Sequence, residues 1–114
     1  MKLLCVVSKP PFEGSKVIEQ IEAAMVAAVF DIEVTLLFTG LGIHCLTEDQ
    51  QGDVLASRSP GKLISGLDMY DINHIYADKA SLADFKLIEG VTVVDKDAQQ
   101  ELLRLSDLVI GGSA

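Results

Sequence analysis

Apolar positions in this chain come in short continuous runs, separated by stretches in which they recur at helical spacing. Residues 3–8, apolar up to Ser8, read as a strand covered on both faces. Two prolines and a glycine make residues 9–14 a loop. With Ser15 as N-cap, Val17, Ile18, Ile21, Met25, Ala28 and Val29 then define one face of an amphipathic helix; Lys16, Glu19, Gln20 and Glu22 lie mainly on the other face. The second strand is predicted over residues 32–39. Gly40-Leu41-Gly42 and a short helical turn at 43–45 follow it. Residues 48–52 are polar and loop-like, and 53–57 fit no single pattern. Ser59-Pro60 starts a helix with Leu63, Ile64 and Leu67 inward. The third strand is predicted at 72–77, a short helix at 81–87 and the fourth strand at 91–94. A helix follows over 95–106 with Leu102, Leu103 and Leu105 inward, then a very short fifth strand at 108–110. Residues 111–114, Gly-Gly-Ser-Ala, read as a frayed tail.

Strands alternating with helices predict an α/β fold: one domain spanning residues 1–114, with a parallel five-stranded sheet and helices on both faces in flavodoxin-like layering. Crossovers should be right-handed. With 49% hydrophobic residues, 5% aromatic and no Trp, the core must be aliphatic. A chain of 114 residues buries about two-thirds of its unfolded surface, enough for a core without staples. No apolar run approaches the roughly 18 residues of a membrane span. The opening apolar run is too short for a signal peptide and lacks a small-residue cleavage site, so the expected location is cytoplasmic.

Seventeen acids against nine bases give a net charge of −8, and the bases are scattered. No basic cluster exists to neutralise a row of phosphates, so direct nucleic-acid binding is not expected. Cys5 and Cys45 are too far apart in sequence for a chelating pair, and neither a disulfide framework nor a zinc site is indicated. Cys5, inside an apolar strand, reads as a buried inert thiol.

The carboxyl ends of parallel strands are where such folds place ligands. The first such loop, KPPFEGS, lacks the glycines of a dinucleotide or P-loop site and most of the hydroxyls of a flavin phosphate loop. A receiver domain needs acids after the first strand, but this strand ends in Ser8-Lys9. No cofactor or metal is therefore expected. After the second strand, His44 beside Cys45 invites a Cys/His reading, yet adjacent side chains rarely face each other and no third group orients the imidazole. Cys45 is either packed partly under a glycine turn, or a candidate reactive thiol if a helix N-terminus lowers its pKa. Asp78 with Lys79 is either an acid/base pair or, more simply, a helix cap at Asp78. His74 lies in the third strand on the side of Ile72 and Tyr76 and reads as a half-buried structural histidine.

Three stretches, VVSKPPFEGSKVIEQIEAAMVAA, VTLLFTGLGIHCL and above all LDMYDINHIYADKASL, make the chain similar to the DsrE/DsrF-like sulfur-relay family, most of all its TusC/DsrF branch. The resemblance covers nearly the whole chain. It implies a small α/β domain acting in ring-like homo- or hetero-oligomers with DsrE/TusD-like and DsrH/TusB-like subunits. Persulfide sulfur would pass onward to a TusE/DsrC-type carrier, serving tRNA 2-thiouridine synthesis or intracellular sulfur oxidation. In the catalytic branch a cysteine precedes the short helix after strand three. The matching stretch here, around Ala77 and Asp78, has none, and a carboxylate would raise the pKa of a nearby thiol. The resemblance thus implies a non-catalytic subunit of the complex. The alternatives are a carrier using Cys45, or a small-molecule-binding α/β domain without a sulfur role.

Overall fold

The computed structural model describes residues 1–9, 16–46, 67–70, 72, 74–82, 87 and 90–111. Its strands are β1 (Lys2–Val7), β2 (Glu33–Phe38), β3 (His74–Asp78), β4 (Val91–Val94) and β5 (Leu108–Gly111), and its α-helices α1 (Lys16–Val29) and α2 (Lys96–Leu105). Short 3-10 segments occupy Gly40–Leu46, Leu67–Tyr70 and Lys79–Ser81. The predicted cap at Ser15, the loops at 10–14 and 48–57 and the helix starting at Ser59 lie outside the described residues; of that helix's apolar positions only Leu67 is described, buried in its 3-10 turn.

The strands form one five-stranded sheet in the order β4-β3-β2-β1-β5, and every pairing is parallel. The order steps one way from β1 to β4, then returns across the sheet to β5. Crossovers of one hand put the returning helix on the opposite face. Burial agrees. Leu3, Cys5 and Val7 of β1, Val34, Leu36 and Phe38 of β2, and Ile75 and Ala77 of β3 share a core with Val17, Ile21 and Ala24 of α1. The alternate positions Thr35, His74 and Tyr76 border a groove with Leu102 and Leu105 of α2 and with Ser106, which caps it. Helices therefore flank both faces, as expected.

Local chemistry sets the ends of the helices. α1 stops where Asp31 takes a left-handed φ of 64°, with Asp31 N–H bonded to Ala28 O and Ile32 N–H to Ala27 O. This Schellman arrangement satisfies two of the last carbonyls. α2 starts at Asp95, whose carboxylate accepts from Ala98 N at 2.8 Å, and ends at Ser106. Its facing differs from expectation. Leu102 is half-buried, but Leu103 and Leu105 are exposed and α2 buries no residue fully. Positions 102, 103 and 105 span too wide an arc of a helix for one sheet face to cover. His74 also differs: it is exposed, its ring stacked 6.3 Å from that of Tyr76, because the groove beside α2 leaves the start of β3 uncovered on that face. The predicted helix at 81–87 begins instead as the 3-10 turn Lys79–Ser81, with Leu82 already extended; residues 83–86 lie outside the described set.

Candidate functional site

The site lies along the carboxyl edge of the sheet, where β2, β3 and β4 end side by side. Asp78, the last residue of β3, caps the turn that follows: its Oδ1 accepts from Ala80 N at 3.2 Å and its Oδ2 from Ser81 Oγ at 2.7 Å. Gln99, one turn into α2, donates from Nε2 to Asp78 Oδ1 at 2.7 Å and to Val94 O at 3.2 Å. Ser81 Oγ in turn accepts from Gly40 N at 2.8 Å. One carboxylate thus ties together the ends of β2, β3 and β4 and the first turns of α2. Partial desolvation pushes the Asp78 carboxyl up, but hydrogen bonds from Ser81, Gln99 and Ala80 outweigh it and hold the group below its ordinary value. An anion so held is a poor base, and its oxygens are already engaged. Gln99 and Ser81 were missed in the sequence. The available signal was positional: in a parallel sheet, the end of β3 and the first turns of the helix after neighbouring β4 share an edge.

Cys45 occupies a different layer. After β2 the chain turns at Gly40, with φ +53°, and Gly42 N–H bonds Thr39 O at 2.9 Å. The segment Gly40–Leu46 then runs against the end of β1, so closely that a Cβ on Gly42 would overlap the Val7 carbonyl. This carries Cys45 into the core on the α1 side, fully buried, with Sγ 3.8 Å from Lys9 O. Cys45 stands at the C-terminal end of its 3-10 segment, not at a helix N-terminus. Desolvation pushes its thiol up to about 12, the reverse of activation. Cys5 is also fully buried, its thiol pushed up to about 11 by burial against a smaller opposing effect of Gln20.

The structure does not gather these groups into one centre. Cys45 packs on the α1 face, whereas Asp78 reaches α2. His74 shares Asp78's face but lies four residues back along β3, about 13 Å at the usual rise per strand residue. Among the described residues, no three His, Cys, Asp or Glu side chains come together as a metal-binding group.

The chain is a small α/β protein built on a parallel β4-β3-β2-β1-β5 sheet; the DsrE/DsrF-like family profile matches residues 1–111, and the chain belongs to that family. It is similar to a protein named TusC homolog from Pseudomonas aeruginosa, at 27% identity over 113 residues covering 95% of each chain. A TusC homolog from Vibrio parahaemolyticus is 26% identical over 80 residues, 70% of this chain and 68% of that protein. In three dimensions the chain resembles the YchN protein of E. coli, with a TM-score of 0.80 over 96% of this chain and 97% of that one; at 13% identity the likeness is one of fold.

Proposed function

We propose that this chain is a non-catalytic subunit of a cytoplasmic sulfur-relay complex. The observation that carries the reading is at the end of β3, where the resemblance places the carrier cysteine. Here stands Asp78, an anion fixed by three donors, after the buried Ala77. Persulfide transfer needs a thiolate to attack the outer sulfur of a donor persulfide. A new S–S bond forms on the acceptor as the donor's S–S bond breaks and the donor leaves as a thiolate. Asp78 cannot perform that step. Both cysteines are buried with raised thiol pKa values, so neither serves as the acceptor in this reading, Cys45 included.

The family and the relatives named TusC homolog support a place in such a relay. The partners we propose are DsrE/TusD-like and DsrH/TusB-like subunits, with a TusE/DsrC-type carrier downstream. The pathway served is tRNA 2-thiouridine synthesis or intracellular sulfur oxidation. Among the described residues no helix is long and apolar enough to cross a membrane, which accords with the cytoplasmic placement. The test combines two measurements. The native chain, given a labelled persulfide donor and examined by mass spectrometry, should gain no sulfur, while a sister subunit with a cysteine at the end of strand three gains it. Sizing of the chain with its sister subunits should show a joint assembly. Sulfur on native Cys45, or a chain that never joins its relatives, would overturn the proposal.

A further inference from the structure

The stretch after β2, Gly40–Leu46, runs as one 3-10 segment of 7 residues. Such runs are seldom longer than three or four residues, because 3-10 hydrogen bonds are poorly aligned. A segment of this length depends on what it touches more than on its own ladder. Its far end is well seated. Ile43, Cys45 and Leu46 are fully buried, and Gly42 packs so tightly that a Cβ there would overlap the Val7 carbonyl.

Its entrance is different. Gly40 is exposed, takes a left-handed φ of +53°, and meets nothing within 4 Å of where a Cβ would stand. Glycine adopts this conformation at no steric cost and leaves it as easily, which suits a hinge. A side chain from a distant part of the chain fastens it. Ser81 Oγ accepts from Gly40 N at 2.8 Å, 41 positions away, and donates to Asp78 Oδ2 at 2.7 Å. The Asp78 carboxylate thus fixes the direction of the Ser81 hydroxyl, and the hydroxyl fixes the entrance of the segment that carries Cys45.

We propose that Asp78 and Ser81 form a latch that keeps Cys45 buried. While Ser81 holds Gly40, the segment Gly40–Leu46 stays down on β1; when the bond is released, the segment swings about Gly40 and brings the thiol to solvent. The latch crosses the sheet edge, since Asp78 also bonds Gln99 of α2 whereas Cys45 packs on the α1 side. A group that takes the Ser81 hydroxyl or the Asp78 carboxylate for itself at the end of β3 would therefore unseat Cys45 behind it. The inference rests on the fold and gives Cys45 no part in sulfur transfer, so its failure leaves the sulfur-relay reading untouched.

The test uses the full chain, pulsed with iodoacetamide at fixed pH in native buffer, with Cys5 and Cys45 scored separately by peptide mass spectrometry. Cys5, fully buried in β1, reports unfolding of the whole chain, so the ratio of Cys45 to Cys5 labelling rates isolates local opening. In the native chain both thiols wait for unfolding and the ratio should be about one. Ser81→Ala should raise it about fivefold, as expected for one net hydrogen bond in an opening equilibrium. Ser81→Thr, which keeps the hydroxyl, should return it to the native value. Gln99→Ala loosens the same edge but leaves Ser81 on Gly40, and should not change the ratio. Urea unfolding checks that each variant is folded, and Asp78→Asn replaces Ser81→Ala if that variant is not. A ratio in the latch variant within about twofold of the native chain would overturn the proposal. So would an equal rise in Gln99→Ala, because general loosening of the edge would then explain it.

Discussion

Replacing Asp78 by Ala withdraws the acceptor for Ala80 N–H, Ser81 Oγ and Gln99 Nε2 at once. Loss of a capping carboxylate costs about 1 kcal/mol. The bond to Gln99 adds about 0.5–1.5 kcal/mol, with the lower part of that range favoured because Asp78 is only partly buried. The sum is about 2 kcal/mol, or a fall in Tm of roughly 8 °C for a domain of this size. Asp78→Asn keeps one acceptor oxygen but loses the charge, and should cost about half as much. Because Gln99 also reaches Val94 O, its own removal mixes two effects; a double-mutant cycle of Asp78→Ala with Gln99→Ala isolates their coupling, expected at about 0.5–1.5 kcal/mol. The pH dependence has a definite sign. The folded-state pKa of Asp78 is below the ordinary 3.8, so its contribution is complete above 3.8 and fades as pH falls from there through the folded value. The stability gap between the native chain and Asp78→Asn, followed by urea unfolding, should therefore hold steady at neutral pH and narrow only in acid below 3.8. An Asp78→Ala variant within about 0.5 kcal/mol of the native chain, with no coupling to Gln99, would refute the role assigned to this carboxylate.

Gly42→Ala drives a Cβ into the Val7 backbone carbonyl and should destabilise the chain by about 1–3 kcal/mol in urea unfolding. Cys5 and Cys45 should react with a thiol reagent at mildly alkaline pH only as fast as the chain unfolds, since both are fully buried with thiols raised to about 11 and 12; fast labelling of the native protein would contradict this. Leu103→Ser, at an exposed position of α2, should change stability by no more than about 0.5 kcal/mol in thermal melts, whereas Leu4→Ala in the sheet should cost about 2–5 kcal/mol.

The elements legible from sequence were those whose signals are local. β4 falls where predicted, at Val91–Val94, and β1 and β2 lie within a residue of their expected ends. α2 begins after Asp95 and ends before Ser106 because both residues make cap contacts within a few positions of themselves. The cap at Asp78 was legible for the same reason, though the turn it caps is a 3-10 turn of three residues. Predictions that needed knowledge of what lies opposite fared differently. Leu103, Leu105 and His74 were expected against a neighbour and face outward, because α2 is one short helix over a five-stranded sheet.

By itself the sequence determined the order of the five strands, the places of α1 and α2 among them, an aliphatic core, and the absence of a thiol at the end of β3. Each follows from residue types and spacings within a few positions. The tertiary structure alone decided the strand order, which returns the chain from β4 across the sheet to β5. It decided that Cys45 lies in the core on the α1 side, which turns a candidate nucleophile into a protonated thiol. It also brought Gln99 to Asp78, twenty-one positions away, by lining up neighbouring parallel strands at one edge. Periodicity reports which face of an element is apolar. What that face meets, and hence the charge state and partners of each side chain there, depends on how distant elements close over one another.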